Sequence, residues 1–66
     1  MLDNMFFIRI VEKNKKIVVK NLTEKEAREA LVSAYDCIAK ECENVTFKGL
    51  LTVNALDLEY FYVGIE

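Results

Sequence analysis

The chain has 66 residues, 53% of them hydrophobic and 30% charged, with no proline, no histidine and only two glycines, a composition that excludes a disordered or low-complexity tail. Its length allows one domain, 1–66, close to the lower limit at which a chain without disulfides or metal buries enough surface to be stable alone. The net charge of −2 names no partner, but Arg9, Lys13, Lys15, Lys16 and Lys20 oppose only Asp3 and Glu12 in residues 1–22, whereas four cations face nine carboxylates beyond them.

The run MFFIRIV is interrupted by Arg9 and follows an acidic residue, unlike the apolar region of a signal peptide. No segment approaches the roughly 20 apolar residues of a membrane span, so the expected location is cytoplasmic. Residues 5–12 and 16–20 read as two strands around the polar loop KNKK, with Asn14 suited to a left-handed turn conformation. That hairpin pairs Glu12 with Ile17, Ile10 with Val19 and Val11 with Val18.

The segment NLTEKEA then carries a helix start. Thr23 can accept from the N–H of Glu26, Glu26 can reach back to Thr23, and Leu22 can pack on Ala27. The helix is expected from about Glu24 to Glu43, with Asn44 as a left-handed cap. Ala27, Ala30, Leu31, Ala34, Ile38 and Cys42 form its apolar stripe, and Val32, Tyr35 and Ala39 a flanking row. Glu41 reads as a snorkelling side chain at the stripe's edge. Cys37 and Cys42 lie about 140° apart around the axis, too divergent for an unstrained bond, and read as reduced.

Alternation beyond the helix puts Val45, Phe47, Leu51 and Val53 on one face of a strand and Thr46, Lys48, Leu50 and Thr52 on the other. A turn at Asn54 and Ala55, or a loop from Val53 to Leu56, pairs Thr52 with Asp57, Leu51 with Leu58 and Phe47 with Tyr62. Gly49 then sits across from Tyr60, whose ring can cover the bare backbone. In this register Tyr60 and Tyr62 face the helix, and Phe61, Val63 and Ile65 face away.

The element order is ββαββ, an α+β fold with one helix on a four-stranded sheet. With the first and last strands central and parallel, the strand order is 2-1-4-3. This order resembles the β-grasp architecture of small immunoglobulin-binding domains, and the resemblance implies topology alone. Two hairpins exchanged between subunits fit the same pattern.

One helix cannot cover both faces of a sheet. The face left open would hold Phe7, Arg9, Val11, Val18, Lys20, Thr46, Lys48, Leu50, Glu59, Phe61, Val63 and Ile65. Seven of these are large apolar residues, enough to fill or exceed the 300–600 Å² or so of an ordinary monomer's largest patch. The surplus implies a partner.

Chemistry is poorly supplied. Without histidine there is no imidazole base, Cys-His pair or imidazole metal ligand. Ser33 is the only serine, the cysteines lack CxxC spacing, and Gly49 and Gly64 are isolated, so no metal site, cofactor or phosphate loop is expected. Asp57, Glu59 and Glu41 read as solvated charge.

The expected function is therefore a non-enzymatic protein-binding or regulatory module, a homodimer or an inhibitor or adaptor. Its interface would comprise Phe7, Arg9, Val11, Val18, Lys20, Lys48, Leu50, Glu59, Phe61, Val63 and Ile65. The helix flank Arg28, Val32, Tyr35 and Ala39 is a second candidate surface. The alternative is a single-stranded nucleic-acid platform in which Phe7 and Phe61 stack bases between Arg9, Lys20 and Lys48, with Lys13, Lys15 and Lys16 on phosphates.

Overall fold

The computed structural model describes residues 4–66. The elements are β1 (Phe6–Glu12), β2 (Lys16–Leu22), α1 (Glu24–Ala39), β3 (Asn44–Phe47), β4 (Leu51–Asn54) and β5 (Leu58–Ile65). The fold is α+β, but with five strands in two antiparallel sheets: three strands ordered β2-β1-β5, and a separate β3-β4 hairpin. The first and last strands are neighbours, yet they run antiparallel, so neither the 2-1-4-3 order nor the β-grasp likeness holds.

The core is built where α1 and the β3-β4 hairpin meet one face of the three-stranded sheet. Ile8 and Ile10 from β1 are fully buried with Ala30 and Ala34 from α1 and Phe47 from β3. Small residues on α1 let its backbone come close to its neighbours. The hairpin is tied to the helix by side chains: Ser33 Oγ donates to the Thr46 carbonyl at 2.6 Å, and the Thr46 N–H reaches Cys37 Sγ at 3.5 Å. These bonds occupy backbone groups on the outer edge of β3.

In the first hairpin Ile10 meets Ile17 and Val11 meets Lys16, a register two residues from the expected one. The Glu12 N–H bonds the Lys15 carbonyl at 2.8 Å, which tightens the turn around Lys13 and Asn14, and Asn14 is not left-handed. A shift of two preserves the faces, so Ile8 and Ile10 stay inside. Where β2 ends, Phe6 pairs with Leu22 but Ile8 with Val19, leaving an extra residue in β2. Asn21, at φ 61°, takes up that bulge. The bulge reverses the alternation, so Leu22 turns into the core while Val18 and Lys20 stay exposed.

The capping box at Thr23 forms as read, with Thr23 N–H on Glu26 Oε1 at 2.8 Å and Glu26 N–H on Thr23 Oγ1 at 3.1 Å. The helix stops at Ala39, four residues before the expected end. The Glu41 N–H bonds the Ile38 carbonyl and the Cys42 N–H the Cys37 carbonyl, a Schellman pair, and Glu41 at φ 56° takes the left-handed position expected of Asn44. At the cap residue, Lys40 pairs with Asp36 at 3.1 Å, and this hydrogen bond raises the lysine pKa. The early stop leaves Cys42 exposed beyond the helix, and Ile38 is 46% exposed, so the core stripe narrows to Ala27, Ala30 and Ala34.

The expected long strand over residues 45–53 is broken by a turn. Gly49 takes φ 79° and the Leu50 N–H bonds the Phe47 carbonyl at 2.8 Å, so the chain folds back with Phe47 on Leu51 and Val45 on Val53. Positive φ at the third position is what a type II turn needs. β4 and β5 therefore do not pair. An Asx turn, with Leu56 N–H on Asn54 Oδ1 at 2.8 Å, sends the chain from the hairpin back to the sheet.

Two substitutions test these ends. Glu41→Gly relieves a left-handed non-glycine and should stabilise the domain by about 0.5–1 kcal/mol, seen as a rise in Tm of about 4–8 °C per kcal/mol. Thr23→Ala should lower stability by about 1 kcal/mol in denaturant titrations.

Candidate binding face

Alternation along the three strands sets Phe7, Arg9 and Val11 of β1, Lys16, Val18 and Lys20 of β2, and Tyr60 and Tyr62 of β5 on the sheet face away from the core. Arg9 lies between Val18 and Tyr62, and Val11 between Lys16 and Tyr60. Val11 is 5% exposed beneath its neighbours, whereas Tyr60 and Tyr62 are 53% and 43% exposed.

The rings are organised by one another. Tyr60 and Tyr62 are near parallel, at 9° with centroids 6.4 Å apart, and Phe7 meets Tyr62 edge-on at 6.3 Å. The Arg9 guanidinium carbon stands 5.9 Å from the centre of the Tyr62 ring, a cation–π distance. Arg9 Nε is buried and has no hydrogen-bond partner among the described residues. Three aromatics and three cations share this face with two valines; none of these eight strand residues is a carboxylate, and Glu66, whose N–H bonds the Met5 carbonyl, continues the alternation just beyond β5.

Phe7 explains Gly64. The two are cross-strand partners, and a Cβ at Gly64 would stand 2.4 Å from Phe7 Cζ. The aromatic cover expected for Gly49 by Tyr60 is thus provided elsewhere, for Gly64 by Phe7. Nothing lies within 4 Å of a Cβ built on Gly49.

Of the expected interface residues, Phe7, Arg9, Val11, Val18 and Lys20 are together on this face. Lys48 and Leu50 are in the β3-β4 turn, in the other sheet. Pairing with β1 turns β5 over relative to expectation: Phe61 is opposite Ile10 and Val63 opposite Ile8. Phe61 packs edge-on against Phe47 at 5.0 Å and against Tyr35 at 5.2 Å, on the helix side. Val63 and Ile65 belong to that side too. Glu59 is the extra residue of a second bulge, between the Val11–Tyr60 and Glu12–Leu58 pairs. Sequence reasoning missed Tyr60, Tyr62 and Lys16 as members of the open face. Antiparallel pairing of β1 with β5, placing Phe7 over Gly64, was the register that would have found the tyrosines, and alternation with Val18 and Lys20 places Lys16.

Outside this face the polar groups serve the fold. Ser33 and Cys37 hold β3, and among the described residues no three His, Cys, Asp or Glu side chains cluster to hold a metal. No described helix is long and apolar enough to cross a membrane. Comparison of the chain with protein-family models, curated proteins and solved structures found no match.

The Phe7–Gly64 contact makes a coupled prediction. Gly64→Ala should destabilise the wild-type chain by about 1–3 kcal/mol through overpacking. In a Phe7→Ala background the same change should cost nothing or stabilise. Additive effects in the denaturant double-mutant cycle would show that the ring does not dictate the glycine.

Proposed function

We propose that the protein is a non-enzymatic binding module whose open β2-β1-β5 face takes a single-stranded nucleic acid. The observation that carries this is the grouping of Phe7, Tyr60 and Tyr62 with Arg9, Lys16 and Lys20 on one sheet surface. Exposed rings offer stacking surfaces to any base, and interleaved cations neutralise phosphates. The Arg9 guanidinium beside the Tyr62 ring is a forked cation of the kind that pairs with phosphate oxygens.

Of the aliphatic residues that made a protein interface the first expectation, Leu50, Val63 and Ile65 do not belong to this face, and neither does Phe61. Only Val11 and Val18 remain, and Val11 is buried. A second reading, an acidic protein surface docking here, is favoured by the Arg9–Tyr62 pair, since arginine and tyrosine are enriched in interface hot spots. Two lysines at the rim fit it less well.

Fluorescence titration with short single-stranded DNA and RNA separates the two. Binding through three phosphate contacts should weaken with salt at a log–log slope of about −2. Tyr62→Ala should cost about 1–3 kcal/mol of affinity, Arg9→Gln should flatten the slope, and Lys48→Ala should change neither. No oligonucleotide binding at low salt would overturn the nucleic-acid proposal and leave the acidic protein partner.

A further inference from the structure

β5 is an edge of the three-stranded sheet, and among the described residues its outer side pairs with no strand. Exposed edges are commonly guarded by lysine, proline or bulges. β2, the opposite edge, has Lys16, Lys20 and the bulge at Asn21. On the outer edge of β3, backbone groups of Thr46 are occupied by Ser33 and Cys37. β5 is the longest strand, LEYFYVGI, and carries a single charge, Glu59, and no proline.

The helix above this edge is also unfinished. Leu31, Tyr35 and Ile38 recur at steps of four and three along α1, with Cys42 beyond its end, an apolar seam separate from the alanines that enter the core. Tyr35 is 58% exposed and Ile38 46%, and below them Val63 and Ile65 are 40% and 58% exposed. The seam follows β5 in the opposite direction. Leu31 shares a cleft with Val63, Tyr35 rests on Phe61, and Ile38 shares a second cleft with Leu58 and Phe61.

We propose that this edge is the dimer interface, each β5 pairing antiparallel with the β5 of a second copy about a two-fold axis normal to the sheet. A second copy fits for three reasons. First, this rotation pairs a strand with its own copy antiparallel in a continuous sheet and closes after two copies, and the same rotation sets the two α1 seams side by side, apolar against apolar. Second, Arg28, ion-paired with Glu24 of its own helix, stands at one end of the seam and Glu41 at the other, so antiparallel helices bring the Arg28 guanidinium of each copy towards the Glu41 carboxylate of the other. Third, joining β5 to β2 instead would propagate an open filament across a lysine-bearing edge, whereas the two-fold closes.

The rotation keeps both open faces on one side of a continuous six-stranded sheet. The four tyrosines then lie at the centre, with Lys16 and Lys20 towards both margins. If the nucleic-acid proposal holds, the dimer reads a tract about twice as long as one copy does; the dimer itself does not depend on that proposal.

Sedimentation equilibrium tests the association directly, together with amide hydrogen exchange at micromolar and millimolar chain. The expected result is twice the 7.6 kDa chain mass and slowed exchange of alternate β5 amides as concentration rises. Tyr35→Glu with Val63→Lys, both at exposed positions, should give a folded monomer by circular dichroism, whereas Val32→Lys should leave the dimer intact. A wild-type chain that is monomeric at millimolar concentration overturns the proposal, as does β5 exchange that ignores concentration. Dimers persisting in the double variant would also overturn it. Because Tyr35 and Val63 lie off the open face, a monomeric variant that still binds short oligonucleotides, with a smaller site size, separates failure of the dimer from failure of the nucleic-acid proposal.

Discussion

The pairing of β1 with β5 is the interaction on which everything else in this molecule depends. Among the described residues β1 is the only strand of its sheet bonded on both sides, and it delivers Ile8 and Ile10 to the core and Phe7 and Arg9 to the open face. Because the pairing is antiparallel, it decides which side of β5 faces inward: Phe61 goes to Phe47, and Tyr60 and Tyr62 go to solvent. A one-residue slip would exchange these roles entirely.

The second layer follows from what α1 can and cannot cover. Its alanines allow close approach but bring little apolar volume, so the bulky buried residues of this layer come from the hairpin: Val45, Phe47 and Val53. The hairpin has only one ladder of its own, and two isolated strands are marginal in water. Ser33 and Cys37 supply hydrogen bonds along its other side, which gives the only serine and a cysteine structural employment. With α1 committed to the hairpin, the flank above β5 is left with exposed Tyr35 and Ile38.

Much of this was legible in the sequence, where local chemistry decides the matter. The capping box at Thr23, the first hairpin and its inner face, and the inward set Val45, Phe47, Leu51 and Val53 all follow from short-range patterns. The break at Gly49 was hidden because a three-residue loop preserves alternation, so a straight strand and a folded hairpin put the same four residues inside. The helix end was misjudged because a glutamate holds a position that glycine or asparagine usually marks. The composition of the open face failed for a different reason: it depends on which strand β5 joins, a contact between opposite ends of the chain that no local pattern encodes. Five of the eight face residues were identified from β1 and β2, and the two tyrosines were lost with the register of β5.

The same long-range pairing orders events in time. The β1-β2 hairpin, α1 and the β3-β4 hairpin are made of contacts close in sequence, whereas β1 and β5 must close a loop of more than forty residues. That closure is expected to be the slow step of folding. Phe7 and Arg9 stand on one side of it and Tyr60 and Tyr62 on the other, so the cation–π pair and the ring cluster do not exist in any partly assembled chain. Binding competence would then arise in a single step with the completed sheet, and the fluorescence of these tyrosines would be a natural clock for it.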